Sequence, residues 1–406
     1  MRRIDTKRFV RATRSTSRDI NRRIILNLVR ENEPISRAEL ARQMGIGRGM
    51  ITSLVAELIE AGEIYSGSTV AAPRGRRPEM LFVRTRDRLV VAIDVRLSQT
   101  YLRLSDFGGR PRSFQAFETL ADPVDLTRVL ATRIGQMLAE DGARDLCEGI
   151  GLVVPGMVDH ELGRVLRAPQ LGWRDVDIRD ALSEATGLPV AIDNAPLACA
   201  LARMWLGDAG AKAPQNFVYV TVSDGVGTAI VSRGEVLRGA NNTAGEFGHL
   251  ALSQSGPECL CGARGCLEAY TSNLATLARY SGERFSPEVA RRIGAASETT
   301  IADVIAQWKS GDARATWALG ETARYLGEGI AAIVTSVNPE VVFVGGEITE
   351  AWELFAPEVS SAIRRRALTP GAARTPVIPE APGTQPRLDG ATALVAARAF
   401  AAPVIA

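Results

Sequence analysis

No stretch of this chain reaches the roughly 18 consecutive apolar residues that a membrane-spanning helix needs. The first residues, MRRIDTKRFVRATRSTSRD, lack the apolar core of a secretory signal. Cysteine is scarce, with five residues in 406, and three of them are bunched between positions 259 and 266. That distribution argues against a secreted disulfide framework. Histidine is scarcer still, at two residues. A hydrophobic fraction of 46% and a mean hydropathy of +0.02 describe an ordinary globular protein. The length allows two or three domains, each with a sizeable core. The expected location is the cytoplasm.

Net charge is small as well, at +2, but it is unevenly spread. Residues 1–90 hold 19 Arg and Lys against 10 Asp and Glu, a net of +9, whereas the remainder holds 29 against 36, a net of −7. A basic module aimed at a polyanion and joined to an acidic body is the expectation.

The basic part has a folding pattern. In 18-RDINRRIILNLVREN-32, Ile20, Ile24 and Leu28 recur every fourth residue and predict one inner helix face. The next helix, 36-SRAELARQMG-45, opens with Ser36 and Glu39 at capping-box spacing and ends at Gly45. A third, about 47–61, stops at Gly62 with Met50, Leu54 and Leu58 expected inside. Three short helices with a tight turn before the third predict a helix-turn-helix. Arg37 and the early residues Arg48, Thr52 and Ser53 are the expected DNA contacts of this unit. The segment 63–83 follows as strand, loop and strand, the wing of a winged helix. Its tip, RGRRP, offers Arg74, Arg76 and Arg77 to a narrow minor groove.

From about residue 88 strands alternate with helices. Strands are expected near 89–111, 149–156, 188–193, 216–237 and 340–347, and helices near 124–141, 195–207, 313–336 and 390–400. This is an α/β body with mixed sheets, arranged as two lobes around a cleft. The expected domains are 1–87, a winged helix-turn-helix with its wing and linker at 63–87, and 88–406. Lobe one is expected over about 88–200 with the C-terminal helix 390–406, and lobe two over about 201–389. Cys147 and Cys199 are expected to be buried as small apolar residues.

The bunched cysteines lie in 246-EFGHLALSQSGPECLCGARGCLEAY-270. His249, Cys259, Cys261 and Cys266 supply one imidazole and three thiolates, a donor set suited to structural zinc. Gly256, Gly262 and Gly265 allow the tight backbone this requires. A redox dithiol, or cysteines buried incidentally, are the competing interpretations.

The same run resembles the signature of the ROK family of repressors, open reading frames and kinases. The likeness extends through GLVVPGMVD at 151–159, APQLGW at 168–173, SDGVGTAIVSRGEVLRGANNTAGE at 223–246 and NPEVVFVGGE at 338–347. It covers nearly the whole chain, because ROK repressors also begin with a winged helix-turn-helix. The resemblance is to repressors responsive to xylose, or to glucose and N-acetylglucosamine, and it implies an actin-like, sugar-kinase-like body. It also implies that Glu246, His249 and Glu268 contact sugar hydroxyls. Gly156, Gln170, Asp193 and Asn194 occupy the remaining sugar-site positions, although the family commonly has Asn where Gln170 stands.

The kinase parts of the family pattern are eroded here. The phosphate turn that is glycine-rich in ROK kinases is 94-DVRLS-98, and a second such turn keeps only Gly225 and Gly227. The Asn-Asp pair of the kinases is reversed, so Asn194 takes the position of the catalytic base. An amide cannot accept the proton of a sugar hydroxyl at neutral pH. The expectation is therefore a regulator with no catalytic residues: a repressor that binds operator DNA as a homodimer or homotetramer and responds to a sugar or sugar phosphate. A sugar kinase with a DNA-binding head, and a regulator controlled by a protein partner, are the alternatives.

Overall fold

The computed structural model describes residues 14–67, 79–206, 214–296 and 298–401. The wing-tip arginines Arg74, Arg76 and Arg77 lie outside the described residues. Helix α1 (Arg14–Asn32) buries Ile25, Leu26 and Val29, while Ile24, expected inside, is 42% exposed. The inner stripe is rotated because α1 is covered by two partners, the rest of the head and the C-terminal helix.

Strand β1 (Ile35–Ser36) leads into α2 (Arg37–Met44). The Glu39 amide donates to Ser36 Oγ at 3.2 Å. The Glu39 carboxylate instead accepts from Gln43 and pairs with Arg42, so only half of the expected capping box forms. Gly45 closes α2 at φ +64°.

Helix α3 (Arg48–Glu60) buries Ile51, Leu54, Val55 and Leu58. Met50 departs from expectation, at 52% exposed. One residue before Ile51 on a helix, it lies about 100° around from that core position and clears the packed face. Strands β2 (Ile64–Gly67) and β3 (Met80–Val83) pair antiparallel, and β3 also pairs with β1, so the wing sheet has three strands.

The first large sheet contains β4 (Leu89–Val95), β5 (Gln99–Asp106) and β6 (Pro111–Glu118) as an antiparallel meander. Helix α4 (Pro123–Glu140), capped by Asp122, returns the chain to β7 (Cys147–Val154), parallel to β4. The chain then turns through a small antiparallel sheet of β8 (Met157–Asp159), β9 (Arg164–Ala168) and β10 (Trp173–Val176). Helix α5 (Ile178–Thr186) leads to β11 (Val190–Asn194), which completes the order β11-β7-β4-β5-β6. Helices α4 and α5 cover one face of this sheet. Helix α6 (Ala195–Trp205) follows β11 directly.

The second sheet begins with β12 (Phe217–Val222), β13 (Val226–Ser232) and β14 (Glu235–Leu237). After the cysteine-bearing loop come α7 (Glu268–Thr271), α8 (Asn273–Tyr280), α9 (Pro287–Ala296), α10 (Ile301–Lys309) and α11 (Ala313–Val337). Strand β15 (Val341–Gly345), α12 (Trp352–Arg366), β16 (Val377–Pro379) and α13 (Pro386–Phe400) finish the described chain. The sheet order is β14-β13-β12-β15-β16, with β12, β15 and β16 parallel. Helices α11 and α12 pack on its outer side, over the largest apolar cluster.

Between the two sheets lie α13, against β4 and β7, and α6, against β12 and β13, in contact with each other. Gly151 permits this closeness, since a Cβ there would stand 1.8 Å from the Ala391 carbonyl oxygen. Cys147 and Cys199 are buried in separate apolar clusters. Among the described residues no helix is long and apolar enough to cross a membrane.

Candidate effector cleft, metal set and nucleic-acid face

A cleft of about 110 Å³ opens between the sheets, well above the ~10–15 Å³ that one water requires. Its walls include Gly156, Gln170, Asn194, Glu246, His249 and Glu268. Gly156, at φ +90°, brings the turn after β7 against β9, where a Cβ would stand 2.2 Å from the Arg167 carbonyl oxygen. At Gly225 a Cβ would fall 2.4 Å from Gln170 Nε2 and 2.7 Å from Glu268 Oε2. Hydrogen at that position leaves room for both polar groups beside the Gly225 backbone.

Glu268 begins α7, and its Oε2 accepts from the Val226 amide at 2.9 Å, which fixes the carboxylate against the start of β13. Burial raises the pKa of Glu246 above the ordinary carboxylate range; His249 opposes that shift and Glu268 adds to it. Asn194 caps α6 by accepting from the Leu197 amide at 3.1 Å.

Asp193 does not line the cleft. It is buried, accepts from its neighbour's amide at 2.9 Å, and is ion-paired with Arg238 at 2.5 Å. Alternation along β11 sends the two adjacent side chains in different directions. Asn194 faces the cleft, and Asp193 ties β11 of the first sheet to Arg238, which follows β14 of the second.

Beside Glu268, the donor atoms of His249, Cys259, Cys261 and Cys266 all lie within 4.8 Å of one another. Cys261 Sγ and Cys266 Sγ are 3.8 Å apart, as are Cys259 Sγ and His249 Nδ1. Tetrahedral coordination with metal–sulfur bonds of about 2.3 Å sets sulfurs about 3.8 Å apart, so the set can hold a metal ion. Left to themselves the Cys259 and Cys266 thiols resist ionisation. Burial, then Glu268, pushes Cys259 up, and burial, then its bond with Cys261, pushes Cys266 up to about 11. A cation among them supplies the charge that makes thiolates favourable. His249 divides its ring: Nδ1 faces Cys259, and Nε2 faces the Glu246 carboxylate at 4.0 Å.

At the turn after β4, where the kinase pattern has glycines, Arg96 fills the space. Its Nε donates to Asp94 at 2.7 Å and its Nη1 donates across the cleft to Glu347 at 3.2 Å. Arg387 of α13 pairs with the other Asp94 oxygen at 2.7 Å. Asn273 donates to Glu347 at 2.9 Å. Burial, then the nearby Glu347, raises the pKa of Asp224 in the same region. Two guanidinium groups and their acids thus form a chain from Arg387 through Asp94 and Arg96 to Glu347. Arg96 and Glu347 both stand in the family-like stretches of the sequence, Arg387 does not, and none of the three carries a local signal of this partnership.

On the head, Arg48 is exposed and makes no ion pair among the described residues. Thr52 Oγ1 bonds back to the Arg48 carbonyl at 2.9 Å. Ser53 Oγ accepts from Arg18 at 3.1 Å, and Arg18 is also held by Glu57. Arg37 pairs with Glu79 at 2.7 Å, beside Ser66. Of the four helix residues expected to meet DNA, Arg48 alone presents an uncommitted side chain.

A winged helix-turn-helix DNA-binding profile matches residues 18–64. A xylose repressor of Caldicellulosiruptor bescii is 30% identical over 357 residues, spanning 86% of this chain and 88% of that protein. Among solved structures, a ROK family transcriptional regulator described as a homologue of the Escherichia coli MLC protein superposes with a TM-score of 0.78 at 27% identity. That similarity covers 95% of this chain and 97% of that one. A ROK hexokinase from Thermus thermophilus covers 77% of this chain and 99% of its own, with a TM-score of 0.60 and 30% identity. The ROK family profile itself matches residues 114–398, and the chain belongs to the ROK family.

Proposed function

We propose that this protein is a sugar-responsive transcriptional repressor that binds operator DNA through its winged head as a homodimer or homotetramer. One observation carries the sensor half: a single loop holds the His249–Cys259–Cys261–Cys266 set and also presents Glu246 and Glu268 to the cleft. Structural zinc is the ion we assign to that set, on the grounds of its three sulfurs and one imidazole. Zinc would fix the loop, and the two carboxylates would accept hydrogen bonds from sugar hydroxyls. Gly156, Gln170, Asn194 and the outward nitrogen of His249 complete the sugar-facing set. The resemblance to a xylose repressor supports a pentose or hexose as the ligand class.

The protein is a sensor rather than a kinase in this reading. Arg96 stands where backbone amides would cradle phosphates, and Asn194 cannot serve as a base. DNA binding places its site of action in the cytoplasm.

Titration calorimetry against D-xylose, D-glucose and N-acetyl-D-glucosamine, paired with band-shift on the protein's own upstream DNA, tests the proposal. Heat with at least one sugar and a sugar-dependent shift are expected. Absence of both across the panel would count against it. Turnover of even about 1 s⁻¹ with ATP and a hexose, ordinary for a kinase, would overturn the non-enzymatic assignment. Metal analysis should find stoichiometric zinc in the wild type and loss of it in Cys261→Ser.

A further inference from the structure

Arg30, in the last turn of α1, lies over two aromatic rings. Its Cζ is 4.5 Å from the Trp205 centroid and 5.1 Å from that of Phe400, and those rings stand 6.3 Å apart. Trp205 is the last residue of α6 and Phe400 the last of α13. Arg30 Nη1 approaches the Trp205 carbonyl at 3.5 Å, and Asn27 Nδ2 donates to the Phe400 carbonyl at 2.8 Å. A cation and an amide donor thus sit at two helix C-termini, where unsatisfied carbonyls carry partial negative charge.

The opposite ends of the same helices lie at the cleft. Asn194 caps α6, Ala195 and Pro196 line the cleft, and Arg387 near the start of α13 lines it too. The two helices run side by side from cleft to head. Where they meet, a Cβ on Gly390 would stand 2.4 Å from the Ala198 carbonyl carbon. Val90 and Phe107 also tie the head to the body, but only through the first sheet. Helix α6 touches the cleft, the second sheet and the head at once. A close-packed helix gripped at both ends moves as a unit, because packed interfaces shift between arrangements rather than deform continuously.

We propose that α6 and α13 form a paired rod that carries the state of the cleft to the DNA-binding head, with Arg30 and Asn27 as the positioning residues that receive it. This rests on the reading of the protein as a ligand-responsive DNA binder. Filling the cleft displaces the first turn of α6 relative to the first sheet. The displacement reaches Trp205 and re-aims α1, which sets how the head of one subunit stands relative to that of its partner.

A double-substitution cycle on the full-length protein tests this without knowledge of the effector. Asn194→Ala perturbs the cleft end of α6 and Arg30→Met the head end, across 11 residues, or about 16 Å of helix. Operator affinity is measured by fluorescence anisotropy, using a fragment selected from random DNA, for the wild type, both single variants and the double variant. Sites this far apart that share no partner combine within about twofold. A departure of about fivefold or more is expected, and combination within twofold overturns the rod.

The same four proteins are compared by amide hydrogen exchange over residues 22–30, which needs no DNA. Asn194→Ala should change protection there by about fivefold or more, and Arg30→Met should abolish that dependence. Protection indifferent to Asn194→Ala overturns the proposal. Should Arg30→Met unfold the head, Arg30→Lys replaces it, since lysine keeps the charge and loses the planar stacking. A wild type that binds no selected DNA would count against the DNA-binding reading, and the exchange comparison then decides the rod alone.

Discussion

Gly390 of α13 rests on Ala198 of α6 with no room for a single added carbon, because a Cβ would lie within 2.5 Å of the Ala198 carbonyl carbon and oxygen. Backbone atoms cannot rotate aside as a side chain can. Gly390→Ala would gain about 1 kcal/mol in helix propensity, whereas overpacking a tight core costs about 1–3 kcal/mol. We expect a net loss of stability, measured as a lower denaturation midpoint with an unchanged denaturant slope. A more stable Gly390→Ala protein would mean that the two helices have slack between them.

Glu268 and Cys261 share one loop but should fail differently when changed. Glu268→Gln keeps the shape, keeps an acceptor for the Val226 amide, and removes the charge that strengthens bonds from sugar hydroxyls. Loss of one charge-assisted bond costs about 1.5–3 kcal/mol, or roughly 10- to 150-fold in sugar affinity, with zinc content unchanged. Cys261→Ser should lose zinc and sugar binding together. Calorimetry beside metal analysis separates the two, and a Glu268→Gln protein with wild-type sugar affinity would remove Glu268 from the site.

The ion pair of Asp193 with Arg238 joins β11 to the segment after β14 at a buried carboxylate. Arg238→Ala leaves that carboxylate without its cation, a change that costs about 3–5 kcal/mol for a buried pair. Adding Asp193→Asn removes the stranded charge, so the double variant should recover much of the loss. Denaturation of the three proteins checks this. A double variant no more stable than Arg238→Ala alone would show that the pair's charge is not what matters.

Arg48 is the uncommitted polar side chain at the start of α3, so Arg48→Ala should weaken operator binding by about 1–3 kcal/mol, the size of one specific base contact. Ser53→Ala should matter less to DNA contact, since the Ser53 hydroxyl already serves Arg18. An Arg76→Ala, Arg77→Ala double variant should reduce the slope of log affinity against log salt by about 2, one phosphate contact for each arginine. Anisotropy titrations at several salt concentrations measure all three.

Local signals carried much of the architecture. Ser36 at the start of α2, Gly45 at its end and the apolar spacing of Leu54 and Leu58 are each decided within a few residues, and the structure has them as expected. The clustering of His249 with Cys259, Cys261 and Cys266 belongs to the same kind, since a short loop with glycines at its bends can bring its own donors together. Where a second element intervenes, periodicity misleads. Ile24 is turned outward because α13 sets the buried stripe of α1 from a second side, and Met50 lies just beyond the edge of the α3 face.

The amino-acid order by itself determined the donor loop, the head's helices and the alternation of strands and helices, because those depend on backbone propensity and on side chains a few residues apart. Only the tertiary structure decided that Arg387 would pair with Asp94, that Arg96 would reach Glu347, and that Asp193 would turn from the cleft to Arg238. Those partners are brought together by the packing of whole sheets and helices, and a contact across tens to hundreds of residues leaves no periodic trace in either segment.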